Sequence, residues 1–233
     1  METDLVNPPG VYARLVGNSW VFLDITRDKY FCLTGEPARL YSELVASDSK
    51  SPSSAKSAAL AKMLVTRGLL AGGVQAGLTD VYAKPISFRG ALDDIAYPLQ
   101  ISVRRQDIAR FAREYAICAH LQNPRRRNLV QIFHDVRALK SKAQQRRKPD
   151  ERDAADLTRS FQQIVPWFFS AHDACFFYSL LLVRFLARRG VTADWVFGVR
   201  LSPFRAHCWV SYQGLILNED SHVVEGFEPI LIV

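Results

Sequence analysis

Apolar and polar residues alternate in short runs near the start of the chain, and this pattern predicts β-strands. A polar turn at Gly17-Asn18 separates the first two runs. The three predicted strands are Val11–Val16, Trp20–Ile25 and Tyr30–Leu33. Apolar residues then recur at helical spacing over Ala38–Val45 and again over Ala55–Gly68. Strands followed by helices predict a small α+β unit.

The middle of the chain is less periodic. Glycines and prolines predict a linker over residues 73–92, which leaves a first domain over 1–72 and a second over 93–233. Helical spacing returns over Gln106–His120 and Val130–Leu139. We expect the chain to re-enter the core through Phe161, Ile164, Trp167 and Phe168.

The pattern is strongest from Asp173 onward. Asp173 is a predicted N-cap, apolar residues then cover most of a helix surface, and Gly190 is the predicted stop. Cys175 falls in the first turn of this buried helix. Three β-rich runs follow and predict an antiparallel meander. These strands are Ala193–Leu201, Ala206–Tyr212 and Leu215–Glu219.

The composition is that of a globular protein, with 233 residues of which 48% are hydrophobic. The first residues lack the layout of a secretory signal, and no uncharged run is long enough to cross a bilayer. We therefore expect a cytoplasmic protein without a membrane partner.

The net charge of +7 is concentrated between Arg125 and Lys148, where nine basic residues stand against one acid. Such a run could bind nucleic acid or an acidic peptide, but it is more typical of a solvated helix face or loop. No nucleic-acid motif accompanies it, so no nucleic-acid partner is expected.

The four cysteines are Cys32, Cys118, Cys175 and Cys208. They form no CxxC pair and have no regular spacing, so neither a metal site nor a disulfide framework is predicted. A free cysteine in a reducing compartment is usually a small buried apolar residue. That interpretation applies to each of them unless its neighbours supply chemistry.

Cys175 has such neighbours. The unpaired N–H groups and positive dipole end of a helix N-terminus stabilise a thiolate. His207 lies on the following sheet and could act as the base, and Glu219 or Asp220 comes at the end of the next strand, where it could orient the histidine. The order of helix cysteine, strand histidine and carboxylate is that of papain-like and transglutaminase-like hydrolases, and it requires no cofactor.

Other interpretations of these residues stay open. Cys175 could be a packing cysteine, and His207 could be a core histidine that donates to a backbone carbonyl. Cys208 adjoins His207 but points to the opposite face of its strand, so we expect a structural role. His172 precedes the helix and is interpreted as a bystander.

About the last sixty residues resemble the B proteins of lasso peptide biosynthesis. The motifs that carry the resemblance are Asp173-Ala174-Cys175, Arg188-Arg189-Gly190, Gly198-Val199-Arg200, Pro203-Phe204, Ala206-His207-Cys208-Trp209-Val210 and Leu217-Asn218. The resemblance implies a transglutaminase-like fold and an enzyme that removes the leader of a ribosomal precursor peptide. It also implies an asparagine-synthetase-like cyclase as partner. The family usually has Asp directly after the Leu-Asn pair, where this chain has Glu219 and then Asp220.

The N-terminal unit is similar to the leader-binding domain of these pathways, which is winged-helix-like and akin to the small pyrroloquinoline-biosynthesis chaperone. The likeness rests on Val21 to Leu33 followed by a helix. Such domains bind the leader as an added strand on a sheet edge. By resemblance, the candidate leader contacts are Tyr30, Phe31, Cys32, Leu33, Leu60, Met63 and Leu64.

Two rival functions share these residues. The same fold supports acyl transfer to an amine, as in transglutaminases and arylamine acetyltransferases. Alternatively, the chain is a peptide-binding scaffold without turnover, in which Glu219 marks a decayed site.

Overall fold

The structure is a computed structural model that describes residues 5–46, 52, 54–72, 87–94, 103–123, 127–145, 149–169 and 175–233. The strands are β1 (Leu5–Val6), β2 (Val11–Val16), β3 (Ser19–Asp24), β4 (Lys29–Leu33), β5 (Ala71–Gly72), β6 (Gly90–Ala91), β7 (Asp194–Arg200), β8 (Arg205–Tyr212), β9 (Leu215–Ile216) and β10 (Glu228–Ile232). The helices are α1 (Gly35–Ala46), α2 (Ala55–Thr66), α3 (Arg105–Leu121), α4 (Leu129–Gln144), α5 (Glu151–Ile164), α6 (Cys175–Arg188) and α7 (Ser221–Val224).

The three predicted N-terminal strands are confirmed to within one residue and form an antiparallel sheet in the order β2-β3-β4. Helices α1 and α2 cover one face, where Trp20 and Phe22 pack with Tyr41. Helix α2 begins with a capping box in which Ser54 and Ser57 bond each other's backbone N–H. It ends before Gly68, whose φ of +71° suits glycine.

The other face of the same sheet does not face solvent. The large core that also contains α6 includes Val21 and Leu23 of β3 and Ile25, the residue just after that strand. An ion pair of 2.9 Å between Arg14 and Glu228 joins β2 to β10. The N-terminal sheet is therefore packed between its own helices and the C-terminal part of the chain.

The C-terminal sheet has five strands in the order β10-β7-β8-β9-β6. The meander of β7, β8 and β9 was predicted, but β10 and β6 were not. Strand β6 pairs in parallel with β9, and Ala91 and Leu92 are buried, so the end of the predicted linker belongs to this sheet. The rest of that linker, residues 73–86, lies outside the described residues.

The predicted third strand, Leu215–Glu219, is shorter than expected. Strand β9 ends at Ile216, although the Leu217 N–H still donates to Val210 O at 2.9 Å. The side chain of Asn218 then accepts from the Val210 N–H at 2.6 Å in place of a backbone carbonyl. Because a side chain takes the place of the backbone acceptor, the backbone hydrogen bonds between β8 and β9 end here. Glu219 therefore lies on a bend and not on a strand.

Helix α6 is the centre of the C-terminal domain, with all residues from Ser179 to Ala187 buried. Helices α3, α4 and α5 pack around it. Its one buried cation, Arg184, donates to Glu114 of α3 at 2.9 Å. Gly190 stops the helix as predicted, with φ of +89° and the Val191 N–H bonded back to Leu186 O.

One predicted core residue is wrong. Trp167 is 65% exposed, because the chain leaves α5 through a short 3₁₀ turn over Val165–Trp167 that contains Pro166 and turns the indole outward. Phe161 and Ile164 are buried as predicted. Every helix among the described residues is too short or too polar to cross a lipid bilayer.

Candidate active site

Cys175 is the first residue of α6, so its sulfur lies where the backbone N–H groups of a helix have no partners within the helix. The predicted N-cap Asp173 and the predicted bystander His172 lie outside the described residues. The side chain of Cys175 is only partly buried. The helix thus presents this thiol at the edge of the core and not inside it.

Strand β8 brings His207 to the same place. His207 is paired with Gly198 of β7, and its ring stacks on Trp209 with centroids 6.2 Å apart. A Cβ on Gly198 would lie 2.6 Å from the Trp209 ring and 2.9 Å from Phe227, so only glycine admits this packing. Phe227 completes the support at 5.6 Å from the His207 ring. These contacts restrict the orientation of the imidazole.

Glu219 contacts the His207 ring at its Nε2 atom. Its Oε2 lies 2.6 Å from His207 Nε2, a distance typical of a charge-assisted bond. With Nε2 occupied by Glu219, Nδ1 is the ring nitrogen that remains for Cys175. Asp220, the other predicted carboxylate, caps α7 instead and accepts from the His222 N–H at 2.9 Å. Its prediction as a histidine partner is therefore wrong, because the α7 N-terminus takes its side chain.

A polar network fixes the distance between α6 and β8. Ser179, one turn after Cys175, donates to Cys208 O at 3.1 Å. Asn218 donates to Ser179 Oγ at 3.1 Å while it accepts from Val210. The helix that carries the sulfur is thus bonded directly to the strand that carries the imidazole.

The ionisation of the pair follows from these contacts. Hydrogen bonds from Cys208 and His207 outweigh burial and lower the pKa of Cys175 to about 4. Burial opposes charge on His207, yet hydrogen bonds and charges of Cys175 and Glu219 raise its pKa to about 9. The bond to His207 lowers the pKa of Glu219. A thiolate and an imidazolium are therefore the stable forms at neutral pH.

A cavity of about 160 Å³ opens beside the pair. Both parts of the chain line it: Leu23, Asp28 and Tyr30 from the N-terminal sheet, Arg127, Leu129 and Phe133 from α4 and the residues before it, Cys175 and Phe176 from α6, Phe197 from β7, and Ala206, His207 and Cys208 from β8. The walls are mainly apolar, with one ion pair and the reactive pair as polar groups.

Arg127, from the basic segment, forms that ion pair. It lies 3.2 Å from Asp28 and stacks over Phe176 at 4.6 Å. Arg125, Arg126 and the run from Arg146 to Lys148 lie outside the described residues. The part of the segment that reaches the cavity is thus tied to the N-terminal sheet.

The candidate leader contacts divide into two groups. Leu33, Leu60 and Leu64 are buried in the core of the N-terminal unit, between 0% and 8% exposed. Phe31 and Met63 are partly buried, and Cys32 is exposed. Tyr30 differs from all of these, because it faces the cavity and packs edge-on against Phe204 at 5.4 Å.

Cys208 is the site residue that the sequence argument missed. Strand alternation is correct, since Trp209 packs in a separate cluster on the other face of the sheet. However, the face to which Cys208 points is the one that α6 covers, so Cys208 lines the cavity together with Cys175. The order of helix and strands in the sequence could have indicated this. A helix packs on only one face of a sheet, and Cys208 lies on the face that α6 covers.

No metal site accompanies this constellation: the described parts of the chain contain no cluster of three or more His, Cys, Asp or Glu side chains suited to a metal ion. Comparison with known families now gives an independent result. Residues 117–232 match the family model of the transglutaminase-like superfamily. This part of the chain is a transglutaminase-like domain. No curated protein and no solved structure matches the chain significantly.

The transglutaminase-like domain contains Cys175, His207 and Glu219, and the family match begins within α3. The N-terminal sheet and its helices lie outside the match. Their resemblance to a leader-binding domain is thus independent of it and rests on the sequence alone.

Proposed function

We propose that this protein is a cysteine peptidase that removes the leader from a ribosomally made lasso precursor peptide. The observation that carries the proposal is that Cys175 and His207 line one cavity while Glu219 bonds the His207 ring at Nε2. Cysteine catalysis needs a populated thiolate, a proton donor beside it and a group that orients the donor, and all three are present.

The chemistry follows from the ion pair. The Cys175 thiolate attacks the scissile carbonyl carbon, and the carbonyl electrons move to oxygen. The imidazolium of His207 donates its Nδ1 proton to the leaving nitrogen as the C–N bond breaks, which leaves a thioester and a free amine. Water then gives a proton to Nδ1 as it attacks the thioester. The C–S bond breaks and leaves Cys175 as the thiolate. His207 keeps the proton taken from water, so the imidazolium is restored as well.

The tetrahedral oxyanion needs donors as well. By analogy with other cysteine hydrolases, the Cys175 backbone N–H is one, since it is the first of the helix and has no intrahelical acceptor.

The leader is proposed to bind along β4. Among the described residues, β4 is paired with β3 only, so its outer edge offers free backbone groups to an added strand. Arg67 at the end of α2 stacks over Phe31 at 4.8 Å, which places α2 beside this edge. Tyr30, at the start of β4, faces the cavity. A peptide on this edge would therefore have one end near Cys175.

Under this proposal Phe31, Cys32 and Met63 contact the leader, and Leu33, Leu60 and Leu64 support the groove from the core. The free precursor segment passes to an asparagine-synthetase-like cyclase, which closes the macrolactam. The partner is thus a second enzyme that uses the amine end made by the hydrolysis.

The test is incubation of the full chain with a precursor peptide encoded beside its gene, followed by mass analysis. We expect two products that together equal the precursor plus one water. Cys175→Ala should abolish both, whereas Cys118→Ala, the same change at a buried cysteine that does not line the cavity, should retain them. Cleavage that survives Cys175→Ala would remove the nucleophile assignment.

Acyl transfer is the second candidate, because transglutaminase-like domains are compatible with both chemistries. The thioester is common to the two reactions, and the acceptor decides between them. A product whose mass includes an added primary amine, in place of water, would favour acyl transfer over hydrolysis.

A further inference from the structure

We propose that Arg200 and Arg205 form an anion-binding site beside His207, and that this site binds an acidic side chain of the peptide substrate. This inference rests on the proposed function and deepens it, because it adds a charge requirement to the substrate. The ligand of two guanidinium groups is a carboxylate, and the place of the site next to His207 makes a peptide the carrier of that carboxylate.

The two arginines lie directly opposite each other at the turn end of the β7-β8 hairpin. Arg200 is the last residue of β7, and it pairs with Arg205, the first residue of β8. Like charges at directly opposite positions of an antiparallel pair destabilise a sheet. The fold therefore holds two positive charges together where a nearby acid would be expected to neutralise them.

No such acid is present in the part of the chain that the structure describes, where neither arginine forms an ion pair. Glu228 of the neighbouring strand β10 pairs with Arg14 at 2.9 Å instead. The Nε of Arg200 is buried and has no hydrogen-bond partner among these residues. A bound carboxylate would neutralise both guanidinium groups at once and remove the repulsion between the strands.

Phe227 fixes Arg200 next to the catalytic histidine. The guanidinium carbon lies 5.1 Å from the centroid of the Phe227 ring, and the same ring lies 5.6 Å from the ring of His207. Arg205 is exposed and comes two residues before His207 on β8, so their side chains point to the same face of the sheet. The two arginines and His207 therefore form one continuous surface.

The strand spacing sets where the acidic residue lies in the peptide. Arg205 and His207 are two residues apart, which is about 7 Å along a strand. An extended peptide advances about 3.3 Å per residue and the side chains add their own reach, so the acid should lie about two to four residues from the scissile bond. The site thus selects among peptides by a residue outside the cleaved bond.

The experiment compares two maleimides that differ only in charge, in the full chain without any substrate. Both have a hexanoyl arm, which ends in a carboxylate in one reagent and in a carboxamide in the other. We expect Cys175 to react about three- to tenfold faster with the carboxylate reagent at low salt. Arg205→Gln should lower this ratio of rates about two- to fivefold, whereas Arg205→Lys should keep most of it because the charge remains.

Arg137→Gln, the same change at an exposed arginine of α4, controls for net charge and should keep the wild-type ratio. Arg200→Gln gives a second measurement and should lower the ratio as Arg205→Gln does. Two results would overturn the proposal: a wild-type ratio near one, or a ratio that Arg205→Gln leaves unchanged. These rates need no cleavage, so they decide the anion-binding site even if the proposed function fails.

The precursor peptide tests the substrate assignment. An Asp or Glu of the precursor within about four residues of the cleavage position is expected. Its change to the amide should lower kcat/KM about fivefold with the wild-type protein and less than about twofold with Arg205→Gln, because the lost partner is the same. Equal cleavage of the acid and amide precursors by the wild type would overturn the peptide carboxylate as the ligand. Absence of any cleavage, with the reagent ratio intact, would count against the proposed function and not against the anion-binding site.

Discussion

Cys175 and Cys118 show what separates a reactive cysteine from a packing cysteine in one molecule. Cys118 lies inside α3, fully buried, and burial raises its pKa to about 12. Cys175 is also partly buried, but its pKa is lowered to about 4 because Cys208 and His207 donate to its sulfur. The two shifts have opposite signs although both side chains leave water.

A nearby cation is not enough to reverse the rise in the pKa of Cys118. Arg184 lies close to Cys118 and favours its thiolate, but Glu114 opposes it. That carboxylate already binds Arg184 and Arg188, at 2.9 and 2.8 Å. The charges of Glu114, Arg184 and Arg188 are therefore mainly neutralised by one another. The comparison teaches that hydrogen-bond donors to the sulfur, aided by the charge of His207, lower the pKa of Cys175, whereas a cation that is already paired does not do so for Cys118.

The largest expected effect is the reactivity contrast itself. At about pH 6, iodoacetamide should modify Cys175 at least roughly a thousandfold faster than Cys118, because the first thiol is ionised and reachable and the second is neither. Peptide mass analysis after timed quenching measures both rates in one sample. Denatured protein is the control and should label the two equally. Equal rates in the folded protein would favour the scaffold interpretation.

A smaller effect should follow from Glu219→Gln. The carboxylate helps to keep His207 protonated, so its loss should lower the pKa of His207 from about 9 toward the ordinary value. Reaction requires Cys175 deprotonated and His207 protonated, so the wild-type window runs from about pH 4 to about pH 9. The basic limb should move down by about two pH units, which lowers the rate roughly tenfold at about pH 8 and less at lower pH.

The pH profile of precursor cleavage measures this shift. Glu225→Gln, the same change at an exposed glutamate six residues later, is the matched control and should keep the wild-type profile. A basic limb that does not move in Glu219→Gln would separate this carboxylate from the ionisation of His207.

The local sequence pattern was sufficient to predict the helix that carries Cys175 and the strand that carries His207. The apolar run of α6 lies within the helix itself, and Gly190 ends the helix where its φ favours glycine. The strands β2, β3, β4 and β8 have alternation or turns that need no knowledge of the rest of the chain. Cys175 and His207 could therefore be assigned to a helix start and a strand from sequence.

The remaining geometry depends on pairings between distant segments. Asn218 ends β9 because its side chain takes the Val210 N–H, and no periodicity encodes that exchange. The choice between Glu219 and Asp220 was open in sequence because it depends on α7, whose N-cap uses Asp220. The buried second face of β3 was equally hidden, since Val21 and Leu23 fit either a separate small core or a shared one.

The smallest expected effect concerns access, the other respect in which the two cysteines differ. Cys118 is sealed in the core, whereas Cys175 opens to a cavity that the N-terminal sheet partly walls. Tyr30 supplies ring surface to that wall and is held by Phe204. Tyr30→Ala should therefore widen the cavity, raise the alkylation rate of Cys175 by a bulky maleimide about two- to fivefold, and change the iodoacetamide rate by less than about twofold. Tyr30→Phe keeps the ring and should match the wild type with both reagents. If the alanine variant reacts with the bulky reagent no faster than wild type, the N-terminal sheet does not limit access to the sulfur, and only its proposed role of holding a leader on β4 is left.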